Sequence, residues 1–402
     1  MMRERKKLYP VGEIPPLKHL PERMHAFAVR RDRHGEPLIA LRPEIVPTPR
    51  PDSGEVVVMV MAAGVGMETV WAGLGIPATP FMADTRPYHV PGSDCAGVVW
   101  AVGATVTGWQ AGDEVVIHPV VADSVSSMQQ IWGFETPDGA LAQFARVQAG
   151  QLLPRPTRLS WAESACYLFT LAKAYRMLLG HPPHRLEPGG TVLVWGASEG
   201  IGAMAVQLAH AIGATVVGVV NSPEQVEGVL RLGAVEVIDR SRFARFESLS
   251  DVEDTVACDL WQRQTEPFRI AVTAALGRIS TVDRSFDRCF DIVCEQSGQS
   301  TFPLSCQLVR RGGMVVFCGG TTGYTFTFDA RPAWMGEIRL QGSHLASAAD
   351  ADAANRLVTA GVVDPCLSAV FDWWEAPLAH ARMLHGKGGT GAVLVQGRTR
   401  KR

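Results

Sequence analysis

The chain has 402 residues, enough for two domains or one large two-lobed unit. Its net charge of -2 gives no electrostatic case for a nucleic-acid partner. No apolar run approaches the roughly 20 residues that a membrane helix needs, so no membrane span is expected. The start, "MMRERKKLYPVGEIPPL", is basic without an apolar stretch behind it and does not read as a secretory signal. Eight scattered cysteines without a CxxC pair suit buried thiols in a reducing cytoplasm.

From about Met24 to Val147 the chain shows short β-rich runs broken by Gly and Pro: "GEVVVMVMAAGV", "GSDCAGVVWAVG" and "AGDEVVIHP". This spacing predicts a partly antiparallel barrel. "LSWAESACYLFTLAKAYRMLLG" follows, apolar at helical spacing, with Ser160 as N-cap and Glu163 closing a capping box. "GGTVLVWGASEGIG" then opens an alternation of strands and helices through "ATVVGVV", "VEVID", "RCFDIVCEQSG", "GGMVVFCGGTTG" and "IRLQGSH". Such alternation predicts a parallel, doubly wound α/β sheet. Segment 241–285 is charged and reads as an excursion around a helix at "FRIAVTAALG". The tail "GGTGAVLVQG" returns to a β pattern and is expected to close the first lobe, making that lobe discontinuous.

Gly196, Gly200 and Gly202 form GxxxGxG between a strand and a helix. Glycine there permits the tight turn, close approach of a pyrophosphate and close packing of helix on strand. The helix N-terminus adds free N–H groups and positive dipole character for an anion. The expected cofactor set in this turn is Gly196, Ser198, Glu199, Gly200, Ile201 and Gly202; the alternative is a merely structural turn. The second strand ends in Asn221 and Ser222 without the acid that would bind a ribose 2′-hydroxyl, which favours NADPH over NADH. Cys318 and Gly319, at the end of a later strand, complete the set. Glu199 is out of place beside phosphates, unless its side chain turns to solvent while its N–H faces the anion.

Several stretches together resemble the crotonyl-CoA carboxylase/reductases, a zinc-free branch of the medium-chain dehydrogenase/reductases. They are "GEIPPL", "VMAAGV…VWAGLG", "GSDCAGVVWAVG", "IWGFET", "AYRMLLGHPPH", "WGASEGIG", "TFPLSCQLVRRGGMVVFCGGTTG" and "LQGSHLA". The resemblance implies a discontinuous GroES-like catalytic domain (1–165 and 345–402) and a Rossmann domain (166–344). It implies NADPH hydride addition to the β-carbon of an enoyl-CoA or other enoyl thioester, with CO2 trapped at the α-carbon. Phe134, Glu135 and His344 carry over as the CO2-holding set. A histidine can donate to one CO2 oxygen, and a carboxylate can order the group that holds the other. Taken without the resemblance, His344 is a histidine satisfied at a strand end, Glu135 a solvated loop carboxylate and Phe134 a core aromatic. A zinc-dependent relative needs a Cys or His near Gly66 and a His at Ser93, so no metal is expected.

The chain departs from the family where cofactor and CO2 are handled. The family's "GVNYN" becomes Gly64-Val65-Gly66-Met67-Glu68, so Glu68 replaces an amide and cannot donate to a CO2 oxygen unless protonated. Lys173 replaces a threonine near the nicotinamide, Glu199 a glycine of the turn, and Gln225 a lysine suited to a 2′-phosphate. "RYLWMxxKRI" becomes "RPAWMGEIRL", keeping Arg331 and Arg339. Lys173 and Glu199 are candidates to offset one another as a charge pair. Three functions stay open: a reductive carboxylase, feeding an unusual alkylmalonyl unit to biosynthesis; a plain enoyl or quinone-type reductase; and a non-redox scaffold or binding module that no longer uses the cofactor. A cytoplasmic homodimer or homotetramer is the expected assembly.

Overall fold

Nine of the ten residues of the strand Glu55–Gly64 are buried, and the run "VVVMVMAAG" is apolar on both faces. A strand covered on both faces reads this way, so it belongs at the centre of a sheet. The computed structural model describes residues 5–81, 86–122, 129–244, 246, 249, 252–279 and 289–396. By internal contacts the chain forms two compact units, Met1–Phe169 with Ser347–Arg402, and Thr170–Ala346.

In the first unit, Glu55–Gly64 pairs antiparallel with Cys95–Val102 and with Phe144–Gln148. The late strand Gly391–Leu394 pairs with it too, Val393 opposite Ala63. The end of the chain therefore returns to the first unit, as the β pattern of the tail predicts. Glu114–Ile117 and Leu152–Pro154 extend the sheet on one side, and Ala369–Asp372 on the other. Its core gathers Phe27, Leu41, Ile117, Trp132, Leu141 and Trp373.

One element differs from expectation. The stretch predicted as a single helix is two, Trp161–Ser164 and Leu168–Leu179. The capping box is present, with Ser160 accepting from the Glu163 N–H. The break has a local cause. The Asp94 carboxylate accepts the Phe169 N–H at 3.1 Å and so caps a fresh helix start. Gly64 is needed beside it: a side chain there would press on Asp94 and on the Ala165 carbonyl.

The second unit is a six-stranded parallel sheet. Across it run Glu236–Asp239, Thr215–Val220, Thr191–Val194, Phe290–Glu295, Val309–Phe317 and Arg339–Gly342. The first strand in sequence lies inside the sheet, and the order reverses beside it. This is the doubly wound arrangement, with its binding crevice at the carboxyl ends near the reversal. The excursion contains a helix, Thr255–Ile279, longer than "FRIAVTAALG" alone. Trp261, Thr265, Phe268, Val272, Ala275 and Leu276 recur at helical spacing and are buried, which carries the helix through its charged half. Pro267 lies on its exposed face. Phe268 stacks on Trp195, ring centroids 5.3 Å apart, and so anchors this helix to the strand end. Residues 245, 247, 248, 250, 251 and 280–285 of the excursion lie outside the described residues.

Candidate active site

The glycine turn leaves the strand Thr191–Val194 and enters the helix Gly200–Ile212. Backbone bonds stitch it to both neighbouring strands: Trp195 N–H donates to Cys294 O, and Ala197 N–H to Val219 O. Gly196 and Gly200 have φ of 59° and 51°, a region that favours glycine. A methyl group on Gly202 would run into the Gly196 carbonyl. The turn is thus tight, with no room for a side chain at Gly202 between the strand end and the helix N-terminus. These features fit a dinucleotide's pyrophosphate.

A buried carboxylate holds the neighbouring loop. Glu295 accepts from Ser297 N (2.7 Å), Gly298 N (3.0 Å), Thr301 Oγ1 (2.9 Å) and Ser305 Oγ (2.6 Å). Burial pushes its pKa up, and the four donors pull the other way. Gln296 next to it donates from Nε2 to the Trp195 carbonyl at 2.7 Å, fixing the start of the turn. Neither residue stands out in the sequence, because their partners are distant in it. Cys318 N–H donates to Glu295 O, and Gly319 follows with φ of 99°. Cys318 and Gly319 therefore stand at the same carboxyl edge as the turn.

Ser198 and Ile201 belong to the turn and the first helical residues. Glu199 is the N-cap position, but its side chain makes no capping bond. The side chain is exposed, yet the protein around it still pushes its carboxyl above the usual range. It forms no ion pair among the described residues, so the pairing with Lys173 is not made; Lys173, half-buried on the helix Leu168–Leu179, is engaged elsewhere. At the second strand's end, Asn221 N–H donates to Gln225 Oε1 at 3.0 Å. The Ser222 hydroxyl nearby holds the Glu224 carboxyl below its ordinary range. An acid, Glu224, does stand near the strand end, two residues beyond Ser222.

In the first unit, Glu68 lies in the first turn of the helix Met67–Leu74 and is buried. Its Oε2 folds back to 2.9 Å from where a side chain on Gly66 would begin. One turn on, Trp71 packs against Phe134 with ring centroids 6.2 Å apart. The structure therefore brings the helix of Glu68 beside the "IWGFET" turn. Phe134 is buried, whereas Glu135 is exposed and its Oε2 accepts the Ile131 N–H at 2.6 Å. Gly133 lets this turn close: its φ is 73°, and a side chain would meet the Gly92 carbonyl. The buried Ser93 hydroxyl finds no hydrogen-bond partner among the described residues. Among those residues no three His, Cys, Asp or Glu side chains converge as a metal site. In the second unit, His344 is exposed just beyond the strand Arg339–Gly342, next to Ser343, whose Oγ is 3.1 Å from His181 Nε2.

Comparison with known proteins gives the family. Models for an alcohol dehydrogenase GroES-like domain and a zinc-binding dehydrogenase match residues 52–157 and 200–360. Crotonyl-CoA carboxylase/reductase of Cereibacter sphaeroides is 48% identical over 98% of this chain and 92% of its own. A solved crotonyl-CoA carboxylase/reductase superposes with a TM-score of 0.92 at 45% identity, over 98% of this chain and 94% of that one. The 2-octenoyl-CoA carboxylase reductase CinF, solved with NADP and 2-octenoyl-CoA, superposes at 0.84 and 33% identity, over 95% and 90%. A discontinuous GroES-like lobe, a Rossmann lobe and 48% identity over nearly the whole length agree: the chain belongs to the crotonyl-CoA carboxylase/reductase family.

Proposed function

We propose that this chain is an NADPH-dependent reductase of α,β-unsaturated acyl-CoA thioesters that adds CO2, or in its place a proton, at the α-carbon. The observation that carries this is the glycine turn at the sheet's reversal point, in a chain of a family whose solved members include one holding NADP and an enoyl-CoA. Bound NADPH supplies the hydride for the β-carbon. Main-chain N–H groups from Ser198 to Gly202 receive the pyrophosphate, Asn221 and Ser222 meet the ribose, and Lys173, Cys318 and Gly319 face the rest of the cofactor. His344 donates to one CO2 oxygen. Glu135, tied to Ile131 N–H, offers its carboxylate to order the group holding the other, and Phe134 excludes water from that place. The working division is 1–165 with 345–402 for catalysis and 166–344 for the cofactor. The products are an alkylmalonyl-CoA or a saturated acyl-CoA. The assembly is a homo-oligomer in the cytoplasm.

Glu68 favours a second outcome in the same enzyme. It is a buried carboxylate on the helix that packs on Phe134. Ionised, it repels the electron-rich oxygens of CO2; protonated, it can hand a proton to the substrate enolate. Simple reduction should therefore compete with carboxylation. The test is product partition by mass spectrometry at saturating bicarbonate with an enoyl-CoA and NADPH. Glu68→Asn should raise the carboxylated fraction several-fold, and His344→Asn should lower it. If neither change moves the ratio, these residues do not line the reacting centre.

A further inference from the structure

Two of the eight cysteines approach one another in the first unit, from distant parts of the sequence. Cys166 lies in the bend between the helices Trp161–Ser164 and Leu168–Leu179 and is buried. Its thiol donates to Glu163 O at 3.5 Å and reaches Pro365 O at 4.0 Å. The residue after Pro365 is Cys366. That thiol is half-exposed, points at Asp364 O at 3.5 Å, and is close enough for its charge to be felt at Cys166. Cys366 sits at φ of 58°, the left-handed region that a residue with a Cβ adopts at a strain. It lies between the helix Ala348–Thr359 and the strand Ala369–Asp372, in a stretch without helix or strand. A half-exposed thiol in a strained loop, near a buried second thiol, is the layout of an attacking and a resolving cysteine.

We propose that Cys166 and Cys366 form a reversible disulfide when the protein meets a hydroperoxide. The Cys366 thiolate attacks the peroxide oxygen, giving a sulfenic acid and releasing an alcohol, or water from hydrogen peroxide. The Cys166 sulfur then displaces hydroxide from that sulfenic acid, which leaves as water with the Cys166 proton. Two thiols and one peroxide become one disulfide and two hydroxylic products. Cys366 reacts first because it is reachable, while burial raises the Cys166 thiol's pKa well above the usual thiol range and keeps it protonated. Disulfide geometry needs Cα atoms within roughly 7 Å, so the Pro365–Cys366 loop has to swing the Cys366 thiol away from Asp364 O and towards Cys166. The bond would tie the start of the helix Leu168–Leu179 to the chain's return segment.

The full-length protein, reduced and then freed of reductant, is treated with hydrogen peroxide and mapped by mass spectrometry without reduction. The expected result is one cross-linked peptide pair, Cys166 to Cys366, 2 Da lighter than the two thiols together, lost on adding dithiothreitol. Because the bond closes a loop of about 200 residues, the oxidised protein should melt about 5 °C higher than the reduced form. Cys366→Ser, at a half-exposed loop position, should fold normally and lose both the cross-link and the shift. Cys166→Ala should instead let Cys366 proceed to sulfinic acid. Sulfinic acid at Cys366 in the unaltered protein with Cys166 still a free thiol would overturn the proposal, as would cross-links to other cysteines.

Discussion

Glu199 holds a carboxyl at the place where the proposed cofactor's phosphates approach, exposed and without an ion pair among the described residues. A like charge at an exposed site weakens binding by about 1 kcal/mol, close to a factor of five. Its backbone is extended (φ -145°), so glycine fits there without rearrangement. Glu199→Gly should lower the dissociation constant for NADPH about fivefold by nicotinamide fluorescence, with Glu199→Gln close behind. An unchanged constant would separate Glu199 from the phosphates. The glutamate's oddity was plain in the sequence. The acid at Glu224 was not, because its nearness to Ser222 depends on how the chain turns after the strand.

Among the elements, local signals were legible and distant ones were not. Ser160 and Glu163 announce a helix start, since a capping box is closed within four residues. The break three residues later was hidden, because Asp94 comes from another part of the chain. The turn's glycines were visible, whereas Gln296, which fixes the turn, and Glu295, which fixes the loop beyond it, were not. Phe134, Glu135 and His344 came only through resemblance; the "IWGFET" turn owes its shape to Gly133 meeting Gly92. Gly202→Ala pushes a methyl group into the Gly196 carbonyl, backbone that must move. It should cost about 2 kcal/mol of stability in urea unfolding and abolish measurable NADPH binding. Full stability together with full binding would show that the turn yields easily.

The two ends of the chain meet in the first unit, and the second unit leaves a sheet edge unpaired among the described residues. The edge strand Arg339–Gly342 pairs on one side only among the described residues, and nearby Trp334 and Met335 are 66% and 70% exposed. An open edge beside large apolar side chains suits pairing with a second copy. The double change Trp334→Glu with Met335→Glu should lower the mass seen by light scattering, and an unaltered mass would move the interface elsewhere. Stability of the first unit should also depend on pH through His380, in the helix Ala376–Leu384 near the return strand. Its ring is buried, with Nδ1 2.8 Å from Ala376 O. Burial pushes its pKa from the ordinary 6.5 down to about 4. Above pH 6.5 the ring is neutral both folded and unfolded, so it adds no pH dependence. Below pH 6.5 the unfolded chain takes up a proton that the folded chain refuses, so stability falls with pH until about pH 4, where the folded ring also protonates. At pH 5 the loss from this one group is about 2 kcal/mol. Glutamine can donate to the same carbonyl without titrating. His380→Gln should therefore lose about 2 kcal/mol less than the unaltered protein between pH 7 and pH 5 in denaturant unfolding. Equal losses in the two proteins would mean that His380 takes up its proton without unfolding, and that the pocket around it opens to water.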